Sequence, residues 1–259
     1  MSLTLASPAG RRALARLAAA PAPVLFLDVD GTLAPIVPVP SRARVPAATR
    51  RLLDRLQRSG ARVVLVSGRS AHSARRVAGG SYDGIIGNHG AELLRGRRSV
   101  TWCGVEKARI RRLARHLSVY LRRHWPGTRV EDKGYSIAVH HRLVPAEVGA
   151  LLAALRREIR DRGISALPGR QVIDIRAREA HKGAAVLRWL DRVERGRVPR
   201  PEVLYAGDDT TDEDAFRALG RSAVTVAVGH RPRHARFRTP GPVAFGQWLE
   251  KLAAARGGK

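Results

Sequence analysis

The chain has one cysteine, Cys103, among its 259 residues. No disulfide can close within it, and a cysteine-based zinc site is excluded. Aromatic residues make up only 5% of the sequence, so base-stacking platforms for single-stranded nucleic acid are not to be expected. No apolar run approaches the ~20 residues of a membrane span. The amino-terminal stretch from Ser7 to Pro23 carries arginines and a short apolar segment, but prolines interrupt it before a signal-peptide core is built. It reads as a surface helix ahead of the first strand, with a transit peptide as the alternative. The expected compartment is the cytoplasm. Acidic residues are also scarce, 22 against 48 lysines and arginines, for a formal net charge of +26. Such an excess could serve nucleic-acid binding through phosphate contacts. The arginines are scattered, however, with no interleaved aromatics. A compositional bias toward arginine is the preferred explanation, and nucleic acid is not the expected partner. A positive field still favours encounter with an anionic substrate.

Hydrophobic residues account for 44% of the chain, enough for a packed core. Val24-Leu25-Phe26-Leu27, Val63-Val64-Leu65-Val66 and Gly84-Ile85-Ile86-Gly87 read as strands buried on both faces. Helical spacing separates them over residues 46–59 and 70–78. After residue 180 the alternation resumes. A helix is expected over 181–194 and a strand over Val203–Ala206. A short helix from Asp212 to Leu219, a strand over Val224–Val228 and a closing helix from Phe245 to Ala255 follow. Strands alternating with helices indicate an α/β fold with a doubly wound, mostly parallel sheet. Between the halves the pattern changes. Residues 105–124 form a long basic amphipathic helix. Residues 128–141 alternate as an antiparallel hairpin turning at Lys133-Gly134. Pro145 opens a helix running from Glu147 to Asp161, Gly163 ends it, and a strand covers Gln171 to Arg176. This is an inserted α+β domain of roughly 75 residues, a normal size for a small domain. The expected division is a core of 1–100 with 177–259, and an insert of 101–176.

Three buried strands end in polar residues, at Asp28, Ser67 and Asp208. In open α/β sheets, ligands bind beyond the carboxyl ends of the strands, so these tips converge on one crevice. Asp28 and Asp30, two residues apart on a tight turn containing Gly31, repel each other unless a cation lies between them. Asp208, Asp209, Asp212, Glu213 and Asp214 crowd the third tip. Hard oxygen donors with room for water suit Mg²⁺, with Asp208 and Asp209 facing the metal. Glu213 and Asp214 are ordinary acids of a helix start. Lys182 and Ser67 taken singly would be a solvated lysine and a helix cap.

The segments FLDVDGT, VVLVSGR, a lysine before a helix, and LYAGDDTTDEDAF resemble, in that order, the four motifs of the haloacid dehalogenase phosphatase superfamily. GNHGAEL (87–93) and VEDKGYSIAVHHR (130–142) are similar to segments of its trehalose-6-phosphate phosphatase family. So is the placement of the insert, a C2-type cap. The resemblance implies a Mg²⁺-dependent phosphatase in which Asp28 attacks phosphorus to form an aspartyl-phosphate. Asp30 would serve as general acid and then base. It further implies a metal held by Asp28, the Asp30 carbonyl and Asp208, and phosphate gripped by Ser67 and Lys182. The Gly31 and Thr32 amides, with Gly68 and Arg69 of the second motif, would complete the phosphate site. His89, Glu131, Lys133, Asp174 and Arg176 are the implied sugar contacts. The family usually shows Glu-hydrophobic-Arg-Pro before the motif lysine, whereas this chain has Asp174-Ile175-Arg176-Ala177. The implied substrate is a small-molecule sugar phosphate, trehalose 6-phosphate, hydrolysed in trehalose biosynthesis by a monomer. The alternatives are a phosphatase of the sucrose-phosphate or mannosylphosphoglycerate type, or a basic nucleic-acid-binding protein on a degenerate scaffold of this kind.

Overall fold

Short aliphatic runs, each closed by a polar residue or glycine, become strands because both of their faces can be covered. The computed structural model describes residues 2–144, 147–160, 163–169, 171–229 and 232–257. From the amino end these form β1 (Leu3–Thr4), α1 (Pro8–Ala19), β2 (Val24–Asp28), α2 (Ala47–Arg58), β3 (Arg62–Val66), α3 (Ala71–Ala78), β4 (Gly84–Gly87), β5 (Glu92–Arg95) and β6 (Arg98–Thr101). There follow α4 (Lys107–His124), β7 (Arg129–Asp132), β8 (Ser136–His140), α5 (Val148–Glu158), β9 (Ile164–Gly169) and β10 (Val172–Ala177). The chain continues through α6 (Lys182–Arg192), β11 (Val203–Gly207), α7 (Glu213–Leu219), β12 (Val224–Val228), β13 (Phe237–Thr239) and α8 (Pro242–Gly257). Two compact units result, Met1–Val100 with His181–Lys259, and Thr101–Ala180.

The larger unit is built on a sheet of order β1-β13-β12-β11-β2-β3-β4-β5-β6. Pairing is parallel from β1 through β4, and β5 runs antiparallel to β4. Successive side chains of each strand point to opposite faces. On one face Leu25, Leu27, Val63, Leu65, Leu204 and Ala206 share a core with Leu17 of α1, Leu53 and Leu56 of α2, and Phe245 and Leu249 of α8. On the other, Phe26 meets Trp189 of α6 edge-on, with ring centroids 6.4 Å apart. Beside it Tyr205 meets Phe216 of α7 edge-on at 5.7 Å. The chain winds one way from β2 to β4 and the other way from β11 to β13, so β2 and β11 lie side by side at the switch point. Such a point opens a crevice at the carboxyl ends of its strands.

The amino-terminal helix is more than a surface element. Ser7 caps α1 and Pro8 begins it, and one face buries Ala13 and Leu17. Arg256 near the end of α8 is itself buried. Its guanidinium donates to the carbonyls of Leu17, Ala18 and Ala20 at the end of α1, and to those of Pro21 and Ser59. These are carbonyls that a helix end leaves without an intrahelical partner, so one side chain joins the ends of α1 and α2 to α8.

The smaller unit has a four-stranded antiparallel sheet of order β7-β8-β10-β9. Helix α4 packs on β7 and β8, and α5 on β9. The anticipated hairpin is present, with Gly134 at φ 91° in its turn. Strand β9 is additional to the strands that the pattern of the insert predicts, and it ends in Pro168-Gly169, residues common in turns. The β5–β6 hairpin was masked by its arginines and pivots at Gly96 (φ 59°). Pro145 and Asp161, expected at the ends of the helix now described as Val148–Glu158, lie outside the described residues. Among the described residues no helix is long and apolar enough to cross a membrane.

Candidate active site

The three strand tips of the larger unit meet at the switch point. Asp28 ends β2, and Asp208 follows β11 on the adjacent strand. Carboxylate oxygens of Asp28, Asp208 and Asp212 come within 4.8 Å of one another. Lys182, the first residue of α6, reaches between them, with Nζ 2.7 Å from Asp28 Oδ1 and 2.8 Å from Asp212 Oδ1. Asp28, Asp212 and Lys182 are all buried. Three carboxylates against one ammonium leave two negative charges uncompensated in a poorly solvated place. Burial drives the Asp28 carboxyl well above its ordinary range; Lys182 pulls against this, and Asp212 and Asp208 add to it. Burial likewise raises Asp208 from 3.8 to about 6, with Asp212 adding and Lys182 opposing. For Lys182 burial works against the charge, but Asp212 and Asp28 outweigh it and hold the ammonium above its usual value. A hard divalent cation relieves this excess of negative charge, and the all-oxygen donor set fits one.

The loop after Asp28 is shaped for this arrangement. Gly31 adopts φ 80°, and a Cβ there would collide with the Asp208 carboxylate. Thr32 is buried and donates from Oγ1 to Asp208 Oδ1 at 3.2 Å. The Gly31 amide, expected as a phosphate donor, here donates to the Ala34 carbonyl at 2.7 Å. Asp30 points to the rim and forms a bidentate pair with Arg69, 2.6 Å from Nε and 2.7 Å from Nη2. Arg69 also donates to the Pro40 carbonyl at 3.0 Å.

Asp209, expected to face the metal, stands outside the group of Asp28, Asp208 and Asp212. Its carboxylate accepts from the Thr210 amide and caps the 3₁₀ turn Thr210–Asp212, which spends it outside the acidic group. Asp212 takes the place by Lys182 instead. It also accepts from Tyr205 at 2.6 Å and from the Asp209 amide at 3.0 Å. The four-residue spacing from Asp208 to Asp212 across a tight turn was the sequence signal, obscured by reading these acids as a helix start. Glu213 accepts from the Arg233 and His234 amides, and Asp214 pairs with Arg217.

Ser67 is buried, and its Oγ accepts the Arg69 amide at 3.1 Å. Gly68 leaves the room that the ring of buried His89 occupies. Asn88 and His89 both take left-handed backbone, at φ 49° and 57°, which costs a non-glycine residue energy. The contacts of this segment outweigh that cost. The Asn88 amide donates to the Arg69 carbonyl at 2.7 Å, and the His89 amide to the Ser67 carbonyl at 3.0 Å. Buried Glu92 accepts from Asn88 Nδ2 at 2.6 Å and from the Ala71 amide at 2.9 Å. Asn88 and Glu92 thereby brace the Ser67–Arg69 turn, a role sequence reading did not assign.

The remaining expected residues lie in the smaller unit. Lys133 Nζ is 3.4 Å from Asp174 Oδ1, and both side chains are largely buried. Glu131 lies 2.8 Å from His140 Nε2; that bond, followed by the charge of Lys133, holds its carboxyl below the ordinary value. The Arg176 guanidinium donates to the Ala180 carbonyl.

A sequence model described as trehalose-phosphatase matches residues 26–240. The chain is 34% identical over 213 residues to a protein named probable trehalose-phosphate phosphatase from Sinorhizobium fredii, covering 79% of this chain and 77% of that one. Identity is 32% over 241 residues to the trehalose-6-phosphate phosphatase of Escherichia coli, 89% of this chain and 86% of that one. In longer mycobacterial relatives it spans 19% of the length. A crystal structure titled as a trehalose-6-phosphate phosphatase related protein superposes with a TM-score of 0.75 at 27% identity, over 89% of this chain and 97% of that one. The fold is that of haloacid dehalogenase superfamily phosphatases, and the chain belongs to the trehalose-phosphatase family.

Proposed function

We propose that this chain hydrolyses trehalose 6-phosphate to trehalose and phosphate, as a Mg²⁺-dependent phosphoric monoester hydrolase. The observation that carries the reading is buried Asp28, at the switch-point tip of β2, held by Lys182 beside two further carboxylates. Asp28 attacks phosphorus as the bond to the sugar oxygen breaks, and an aspartyl-phosphate forms. Asp30 delivers a proton to the departing oxygen, then takes one from the water that cleaves the acyl phosphate. Arg69 occupies both Asp30 oxygens in this arrangement, so proton transfer requires that pair to open. Opening it would free two guanidinium N–H groups for an anionic substrate. Lys182, Ser67 and the Thr32 amide hold phosphoryl oxygens. Mg²⁺, with Asp28, the Asp30 carbonyl and Asp208 as its protein ligands and Asp212 alongside, would neutralise phosphoryl charge as it builds. Gly68 and His89 shape the wall of the phosphate site. Glu131, Lys133, Asp174 and Arg176 of the smaller unit are proposed to recognise sugar hydroxyls. The shorter Asp174, where the family usually has Glu, leaves about one methylene for a water or a shifted side chain to fill.

The reading carries with it a cytoplasmic monomer with no nucleic-acid partner. A panel of sugar phosphates assayed for phosphate release with and without Mg²⁺ tests it. Trehalose 6-phosphate should be preferred; faster release from sucrose phosphate or glucose 6-phosphate would sink the substrate assignment. Asp28→Asn should leave a folded protein with no turnover, and appreciable residual activity would remove Asp28 as nucleophile.

A further inference from the structure

The sheet has a second end. Pro21 and Ala22 lead into β2, Arg62 opens β3 and Glu202 precedes β11. These residues lie opposite the carboxylate cluster, about 16 Å away along five-residue strands at ~3.3 Å per residue. A cavity of about 520 Å³ opens there, lined by Arg62, Arg95, Arg195, Arg197, Glu194 and Glu202 among others. That volume is typical of small-ligand sites. Its floor is built. Glu194 is buried, accepts from Trp189 Nε1 at 3.0 Å and pairs with Arg62, so its charge is spent. Arg95 lies with its guanidinium carbon 5.8 Å from the Trp189 ring centroid, within reach of a cation–π contact. Arg195 takes φ 53°, a left-handed backbone unfavourable for arginine. The turn is locked by the Gly196 amide on the Leu190 carbonyl at 2.9 Å and the Arg197 amide on the Glu194 carbonyl at 3.0 Å. Among the lining residues that leaves Arg95, Arg195 and Arg197 against Glu202, an excess of two positive charges. Planar guanidinium forks match phosphate oxygens two at a time.

We infer that this pocket is a second anion site, for a compact phosphoanion carrying at least two negative charges, separate from the catalytic crevice. Arginines that were merely solvated would not share one cavity floored by a spent carboxylate, itself held from beneath by a buried indole. The site is tested on the full chain in EDTA, titrating inorganic pyrophosphate while following the indole resonance of Trp189. A double variant, Arg195→Asn with Arg197→Ser, is titrated alongside; asparagine tolerates the left-handed backbone. The wild type should show a saturable shift of that resonance. The double variant should bind about tenfold more weakly or worse while keeping wild-type phosphatase activity. Absence of a saturable shift, equal binding by the double variant, or an equal response to sodium chloride at matched ionic strength would each overturn the inference.

Discussion

Replacing Asp208 with Asn is expected to stabilise the metal-free protein while removing its response to Mg²⁺. Asp208 is held near two other carboxylates, and burial raises its folded-state value from 3.8 to about 6. A carboxyl that binds its proton more tightly in the folded state loses folding stability as pH rises across that interval. At neutral pH the cost of keeping it ionised is on the order of 3 kcal/mol, at ~1.4 kcal/mol per unit, and somewhat less where residual solvent contact screens it. For a chain of this size that corresponds to about 6–12 °C in Tm. Asparagine keeps an oxygen for the Thr32 hydroxyl, so the exchange removes charge and little else. Thermal unfolding in EDTA from about pH 4 to pH 8 is the assay. The variant should melt higher at neutral pH, and the two curves should converge toward the acid end, as the pH falls below the folded value of about 6 and approaches the unfolded value of 3.8. Mg²⁺ should raise the wild-type Tm alone, because it relieves repulsion that the variant no longer has. A variant less stable at neutral pH, or a difference that does not vary with pH, would refute the electrostatic account of the cluster.

Arg256→Met should cost about 2–4 kcal/mol in urea unfolding, because buried carbonyls at the ends of α1 and α2 lose a charged donor; a change below about 1 kcal/mol would show that water replaces the guanidinium. Lys133→Ala should raise KM for trehalose 6-phosphate by about tenfold, one hydrogen bond to a charged group, with hydrolysis of p-nitrophenyl phosphate unaltered. A matching loss on both substrates would place Lys133 outside sugar recognition. Asp30→Asn should lower kcat by about 10²- to 10⁴-fold, with the smaller loss on p-nitrophenyl phosphate, whose leaving group needs less protonation; equal losses on the two substrates would count against a general-acid role.

Much of the architecture was legible in local pattern. The central strands announce themselves as aliphatic runs because a strand covered on both faces has no polar side to show. The runs at 24–27, 63–66, 84–87, 203–206 and 224–228 all became strands of the parallel sheet. Elements at the margins were hidden. Strand β9 ends in Pro-Gly, β5 and β6 are interrupted by arginines, and α1 reads as basic although one face is core. Such segments are fixed by what packs against them, and local propensity alone decides little there.

The site divides along the same line. Asp28, Ser67, Lys182 and Asp208 follow from sequence because each stands where a strand ends or a helix begins, and chain direction alone delivers those positions to one edge of the sheet. Which acid of the Asp208–Asp214 run turns inward does not follow. Spacing allowed Asp209, but the 3₁₀ turn buries Asp212 against Lys182 and Tyr205 and leaves Asp209 to cap the turn. Nor does sequence disclose that the Gly31 amide is spent on Ala34, that Arg69 clasps Asp30, or that Asn88 and Glu92 brace the Ser67 turn. The sequence by itself determined the fold class, which is written in periodicity, and which polar residues stand at the strand tips. Only the tertiary structure decided their partners, because the ion pairs of Lys182 with Asp28 and Asp212 and of Arg69 with Asp30 join residues far apart in the chain.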